Sequence, residues 1–303
     1  MGTSIATCLL ASGHPVVGVE HDPLKRSMAR RRTFAYLKQM QAEGLVKGDL
    51  RPRLGRFIVA KEYAALAGSQ LVVESIVEDL SAKRECLREI ERFVSRNTVI
   101  GSNTSAIPPS LLQGGSKYPD RILGMHWGEP AYTMRFMEII CGKWTGLRYA
   151  QQAVKWARRW GKEPSLLRRD IRGFITNRCM YALMREAFHL VESGYASVQD
   201  VDRSVRNDLG YWITFAGPFR FMDLTGIPAY RAVMKDLLPD LSCSKKVPHL
   251  IDRLVKSGAR GVANAKGFYA YTPRQAKRWE KAYLKFSYEI RALAQRYPGD
   301  LGG

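Results

Sequence analysis

The chain has 303 residues, 46% hydrophobic and 25% charged, which suits a soluble protein with two cores better than one. No apolar run reaches the ~18 residues of a membrane span, and the five cysteines (Cys8, Cys86, Cys141, Cys179, Cys243) never stand in Cys-x-x-Cys spacing, which argues against a zinc site and a disulfide framework. Lys and Arg number 48 against 28 Asp and Glu, a net +20 that attracts polyanions, yet no nucleic-acid-binding motif accompanies it, so a solvated basic surface is expected rather than a nucleic-acid interface. The apolar opening, residues 5–20, has no positive residue before it and no small-residue cleavage site after it. It therefore reads as part of the fold, with a cytoplasmic address and no membrane partner.

In chain order, Gly2–Ala6 opens a helix that Gly13 ends, and Pro15–Glu20 follows as a β-branched run closing on an acid. Asp22 and Pro23 supply an N-cap and first-turn proline for a helix to about Ala42. Further strands are predicted at Arg56–Ala60, Leu71–Glu74, Thr98–Gly101, Ile122–His126 and Met137–Ile140. Ser81–Val94 is helical, as is the stretch holding Leu147, Ala150, Val154 and Ala157 on one face before Gly161. This alternation predicts βαβ units and a parallel sheet. From Asp170 the strand pattern stops: Ile175, Cys179, Leu183, Ala187 and Leu190 share a helix face, Gly194 ends it, and Ser197 to Asp200 reads as a capping box. The expected fold is α/β, a doubly wound parallel sheet over residues 1–168, followed by an all-α domain over 169–303.

Several stretches carry side chains suited to chemistry. A helix, a strand and then Glu20 is the order of a dinucleotide-binding unit, in which the acid accepts hydrogen bonds from ribose hydroxyls; a solvated strand end looks the same. Glu74 and Glu78 close an apolar strand where a ligand crevice opens, or else cap the Ser81 helix. Ser102-Asn103-Thr104-Ser105 leaves its strand on small polar residues that admit a ligand, or form a plain turn. His126 and Glu138 lie twelve residues apart on consecutive strands. A neutral imidazole can take a hydroxyl proton while a carboxylate on its other nitrogen fixes the tautomer; the plainer alternative is a core histidine beside an unrelated acid.

The stretches MGTSIA, LVVESIVEDL, SNTSAIP, GMHWGEP with MEII, DIRGFITNR, GPFRFMDLTG and KGFYAYTP together resemble the 3-hydroxyacyl-CoA dehydrogenase family almost end to end. That resemblance implies a Rossmann-type NAD-binding domain, lacking its first strand in this chain, and a helical domain for the substrate cleft and dimerisation. It implies an NAD-dependent oxidoreductase that converts a 3-hydroxyacyl-CoA, or a related hydroxy acid, to the 3-keto compound as a homodimer. By the same resemblance His126 is the general base and Glu138 orients it. Ser105 and Asn177 bind at the reacting oxygen, and Gly2, Glu20, Glu78, Lys83 and Ser105 face the cofactor. Glu20 favours NAD over NADP because a carboxylate repels a 2′-phosphate.

Two departures bear on these expectations. The family's His-Phe-Phe-Asn-Pro reads His126-Trp127-Gly128-Glu129-Pro130. Glu129 as a substrate-binding residue favours a charged imidazole and replaces an amide that could donate to a thioester carbonyl. Hydroxy acids, sugar acids or aromatic alcohols without CoA then become alternative substrates, unless Glu129 points to solvent or pairs with Arg135. The second departure is the start of the chain. Met1 corresponds to an internal methionine of the family pattern, a strand and a glycine turn are expected upstream, and the chain without them is expected to bind NAD weakly. From another class, the alternative is a catalytically inactive basic binding or scaffold protein.

Overall fold

β-branched runs bounded by Gly, Pro and Asp become short strands because their stiff side chains suit the half-buried pleat. The computed structural model, which describes residues 1–297, contains β1 (Val16–Val19), β2 (Phe57–Ala60), β3 (Leu71–Glu74), β4 (Val99–Ser102), β5 (Ile122–Trp127), β6 (Phe136–Cys141) and β7 (Glu163–Leu167). β1 and β2 form a parallel pair, and β3-β4-β5-β6-β7 form a five-stranded sheet. Val17 and Val19 of β1 pack on the cluster that holds Val72 and Ile100, so the two sheets share an apolar layer.

Two features of the sheet differ from a simple βαβ series. β6 runs antiparallel to β5, because a connection as short as residues 128–135 cannot carry a parallel crossover. β7 has no counterpart among the predicted strands, since Glu-Pro-Ser breaks the apolar signal; Pro164 is tolerated because β7 is the edge strand.

The first unit, Met1–Asn177, surrounds these strands with α1 (Gly2–Ala11), α2 (Pro23–Ala42), α3 (Arg51–Gly55), α4 (Leu80–Glu91), α5 (Pro109–Leu112) and α6 (Leu147–Arg159). Asp22 caps α2 by accepting from the Leu24 and Lys25 amides. Asp79, rather than Glu74 or Glu78, caps α4. The second unit, Arg178–Gly303, continues α7 (Thr176–Glu192) into α8 (Val198–Asn207), α9 (Leu209–Phe215), α10 (Gly217–Thr225), α11 (Ile227–Leu237), α12 (His249–Lys256) and α13 (Pro273–Arg296). Ser197 caps α8 through the Asp200 amide, and a full capping box, Thr272 with Gln275, starts α13. The division at Asn177 falls later than residue 168 because residues 173–177 bond to the first unit: the Gly173 amide donates to Ala106 O, and the Asn177 amide group to Ser105 O.

Two glycines let the central strands approach their neighbours. A Cβ on Gly101 would lie 2.4 Å from Met125 Sδ, and one on Gly124 2.9 Å from Ile140 Cδ1. Because Met125 is fully buried it has little room to retreat. Gly101→Ala is expected to cost about 1–3 kcal/mol in urea unfolding; an unchanged midpoint would show that the core yields there.

Candidate active site

The register of β5 on β6 sets His126 directly opposite Glu138. His126 Nδ1 lies 2.8 Å from Glu138 Oε2, and both side chains are nearly sealed, at 11% and 1% exposure. The carboxylate is an acceptor, so Nδ1 carries a proton, and in the neutral imidazole the lone pair is then on Nε2. Glu138 Oε1 accepts the Ile175 and Thr176 amides, each at 3.0 Å, at the start of α7. A 17-residue helix thus presents its positive end to the acid. Burial alone would raise the Glu138 pKa, but the bonds from His126, Thr176 and Ile175 outweigh it and the net shift is downward.

The apolar company of the histidine now has an account. The rings of Phe136 and Phe174 stand 5.3 and 5.7 Å from the imidazole, so aromatic walls hold its plane while Glu138 supplies the one polar tether. Phe174 is 1% exposed and has φ of 55°, next to Gly173 at 79°. A bulky residue in the left-handed region is costly and persists only where its surroundings impose it. Here that turn delivers the Ile175 and Thr176 amides to Glu138.

A second network joins the carboxyl ends of β3, β4 and β5. Glu74, 3% exposed, accepts from Lys83 Nζ (2.8 Å), Ser102 Oγ (2.5 Å) and the Ile76 amide (2.7 Å). Lys83 is completely buried and lies 3.4 Å from Glu78 Oε2. Glu78 Oε1 accepts from Thr104 Oγ and the Ser105 and Ala106 amides. Burial raises the Glu78 pKa, but the Thr104 hydroxyl, the Ala106 amide, Lys83 and the Ser105 amide reverse this, leaving it below the usual range. Asn103 ties the strand ends together: its Oδ1 accepts the Trp127 amide at 3.0 Å and its amide group donates to Ser75 Oγ at 3.3 Å.

The predicted site residues therefore fall into distinct settings. His126 and Glu138 meet, and Ser105, exposed, meets Asn177, whose amide group donates to Ser105 O at 2.6 Å. Glu78 holds the Ser105 turn, while Lys83 is turned inward. Glu129 is 69% exposed and 3.9 Å from the Met1 amino group; Arg135 pairs with Glu163 instead. Glu20 is partly exposed at the end of β1 and accepts the Asp22 amide at 3.0 Å. α1 has no side-chain cap, and open space surrounds Gly2. Uncapped helix amides and an acid after the next strand are donors and acceptor of the kinds a dinucleotide's phosphates and ribose require.

The lowered Glu138 pKa has a stability consequence. A depressed carboxyl stabilises the fold above its unfolded value, about 4.3, and loses that contribution as pH falls through the folded one. The stability gap between the wild type and Glu138→Gln, measured by urea unfolding, is expected to narrow from pH 7 to pH 3.5. A gap independent of pH would contradict this.

The family model for the NAD binding domain of 3-hydroxyacyl-CoA dehydrogenase matches residues 1–171, and that for its C-terminal domain matches 173–271. The 5-formyl-3-hydroxy-2-methylpyridine 4-carboxylate 5-dehydrogenase of Mesorhizobium japonicum is 31% identical over 277 residues, 91% of this chain and 89% of that protein. The human mitochondrial hydroxyacyl-coenzyme A dehydrogenase is 29% identical over 281 residues, 89% of this chain and 88% of its own. A crystal structure of a dehydrogenase for that same pyridine compound, described as an NAD+ dependent dismutase, superposes with a TM-score of 0.90 at 29% identity, covering 97% of this chain and 95% of that one.

Proposed function

The chain belongs to the 3-hydroxyacyl-CoA dehydrogenase family and is an NAD-dependent dehydrogenase acting on CH–OH; on that premise we propose that it oxidises a hydroxyl on an anionic substrate, a 3-hydroxyacyl-CoA or a related hydroxy acid, with His126 as base. The observation that carries this reading is the buried His126–Glu138 pair on the start of α7. His126 Nε2 takes the hydroxyl proton. Glu138, kept ionised by two helix amides, stabilises the imidazolium that forms. The Ser105 hydroxyl bonds the reacting oxygen, and Asn177 fixes the Ser105 backbone beside it. When bound, the nicotinamide supplies the hydride acceptor. Glu20 and the start of α1 with Gly2 would hold the adenosine ribose and the phosphates.

A CoA-free substrate is the second reading, favoured by Glu129 in place of a family amide and by the close fit to an enzyme named for a pyridine carboxylate. A hydrated aldehyde presents His126 with the same kind of hydroxyl. Absorbance of NADH with 3-hydroxybutyryl-CoA, 3-hydroxybutyrate and a formylpyridine carboxylate separates the readings. No NADH from any of them, with NAD binding intact, would sink both. Glu20 predicts a kcat/KM for NADP at least about tenfold below that for NAD, from like-charge repulsion at the 2′-phosphate; equal values would remove Glu20 from the cofactor site.

The second unit supports a homodimer. Tyr211, Phe219, Leu224 and Ile227 are 59–79% exposed, and only Ala276 and Tyr288 are buried among its described residues. Apolar surface of that kind calls for a partner, and light scattering that gave a monomer mass would refute a second copy. No described helix is long and apolar enough to cross a membrane, and the five free thiols suit a reducing cytoplasm.

A further inference from the structure

The register of β2 leaves half of its peptide groups without a strand partner. Arg56 O and Ala60 O accept the Val16 and Glu20 amides. In this parallel pair Phe57 and Val59 therefore turn their peptide groups to the outer edge, where no strand lies among the described residues. An open groove of about 610 Å³ lies between that edge and α2, with Phe57 and Val59 on the strand side and Arg26, Ser27 and Arg30 on the helix side. Each arginine is anchored by one nitrogen: Arg30 Nη1 donates to Phe57 O, and Arg26 Nη1 to Glu20 O at 2.8 Å and His21 O at 3.2 Å. Nε and Nη2 of both have no partner, and neither side chain has an ion pair, among the described residues. The acids nearest in sequence are engaged elsewhere, Glu20 with the Asp22 amide and Asp22 with the first turn of α2.

We propose that this groove binds the phosphate group of a small phosphomonoester, at a place separate from the start of α1 and from the Glu20 carboxylate. Like charges four residues apart on a helix repel, and backbone anchoring holds these two guanidiniums in place in spite of it. A dianion between them turns the repulsion into attraction. A carboxylate is satisfied by one guanidinium fork, whereas a tetrahedral dianion has oxygens for two. The outward Val59 amide adds a neutral donor on the strand side. Ser27 does not, because its hydroxyl already donates to Leu24 O. The groove is larger than a phosphate ion and leaves room for the organic part of the ligand.

The test is isothermal titration at constant ionic strength, with inorganic phosphate, glycerol 3-phosphate and AMP as probes and adenosine as the uncharged control. The wild type is expected to bind the two esters at a saturable site, at least as tightly as inorganic phosphate, with no binding of adenosine there and no displacement by saturating NADH. Arg30→Gln and Arg26→Gln should each weaken ester binding about tenfold or more, the effect of losing a charged hydrogen bond. Arg30→Lys keeps the charge without the fork and should lose less. Arg32→Gln removes the same charge from an exposed position of α2 outside the groove, and should stay within about twofold of the wild type. Arg30 is exposed, so Arg30→Gln should keep the wild-type melting temperature without phosphate, and it decides the matter if Arg26→Gln fails to fold. No saturable binding of either ester, an affinity unchanged in Arg30→Gln, or an equal loss in Arg32→Gln would overturn the proposal. Displacement by NADH would overturn it too, by placing the bound phosphate in the cofactor site.

Discussion

His126→Gln is expected to lower kcat about 10³-fold while the NADH dissociation constant changes less than about twofold. Glutamine keeps a polar side chain of similar reach, so the Glu138 carboxylate retains a donor; what disappears is the lone pair able to take a proton. Loss in kcat with preserved binding is the signature of an interaction made in the transition state. The side chain at this position packs against the rings of Phe136 and Phe174. A loss in binding alone would make the pair a structural feature of the sheet.

The second large effect is on stability. Lys83→Met is expected to destabilise the fold by about 3–5 kcal/mol, because it removes the counter-charge from the buried Glu74 carboxyl group. For a unit of this size the melting temperature should fall by roughly 6–20 °C. Pairing it with Glu74→Gln should recover part of the loss, since the uncompensated charge is then gone and only packing differs. Equal melting temperatures for wild type and Lys83→Met would mean that water reaches the site. Lys83→Arg is not a neutral control, because Lys83 is completely buried and a planar guanidinium is larger than a compact ammonium.

Much of this architecture is legible in the sequence where one residue type answers one physical need. Asp22-Pro23 starts α2 because its carboxylate and fixed φ suit a helix start, and Gly13 follows α1 at φ 90° where a side chain would strain. His126 and Glu138 could be paired because strands of alternating reach set residues opposite one another. Other features were hidden for equally physical reasons. The φ of Phe174 is imposed by tertiary contacts and leaves no mark beyond the preceding Gly173. The Glu74–Lys83 pair is nine residues apart across a turn and reads as two solvated charges until burial is known. Asn103 looks like a turn residue, and its role in tying three strand ends depends on where β5 falls. Glu163-Pro164 conceals β7 because an edge strand tolerates what a central one forbids.

The basic charge takes a second place in this account. A +20 surface draws anionic substrates towards the protein from a distance and accelerates encounter at low salt, whichever hydroxyl is oxidised. It supplies no selectivity between a CoA thioester and a free acid, which local side chains such as Glu129 must provide.

The most direct measurement is the pH dependence of kcat/KM for NADH formation in the wild type and His126→Gln. A base that must be unprotonated gives the wild type an acid limb governed by one ionisation, and the small residual rate of the variant should lack that limb. Superimposable profiles, or a variant within about twofold of the wild type, would contradict proton removal by His126.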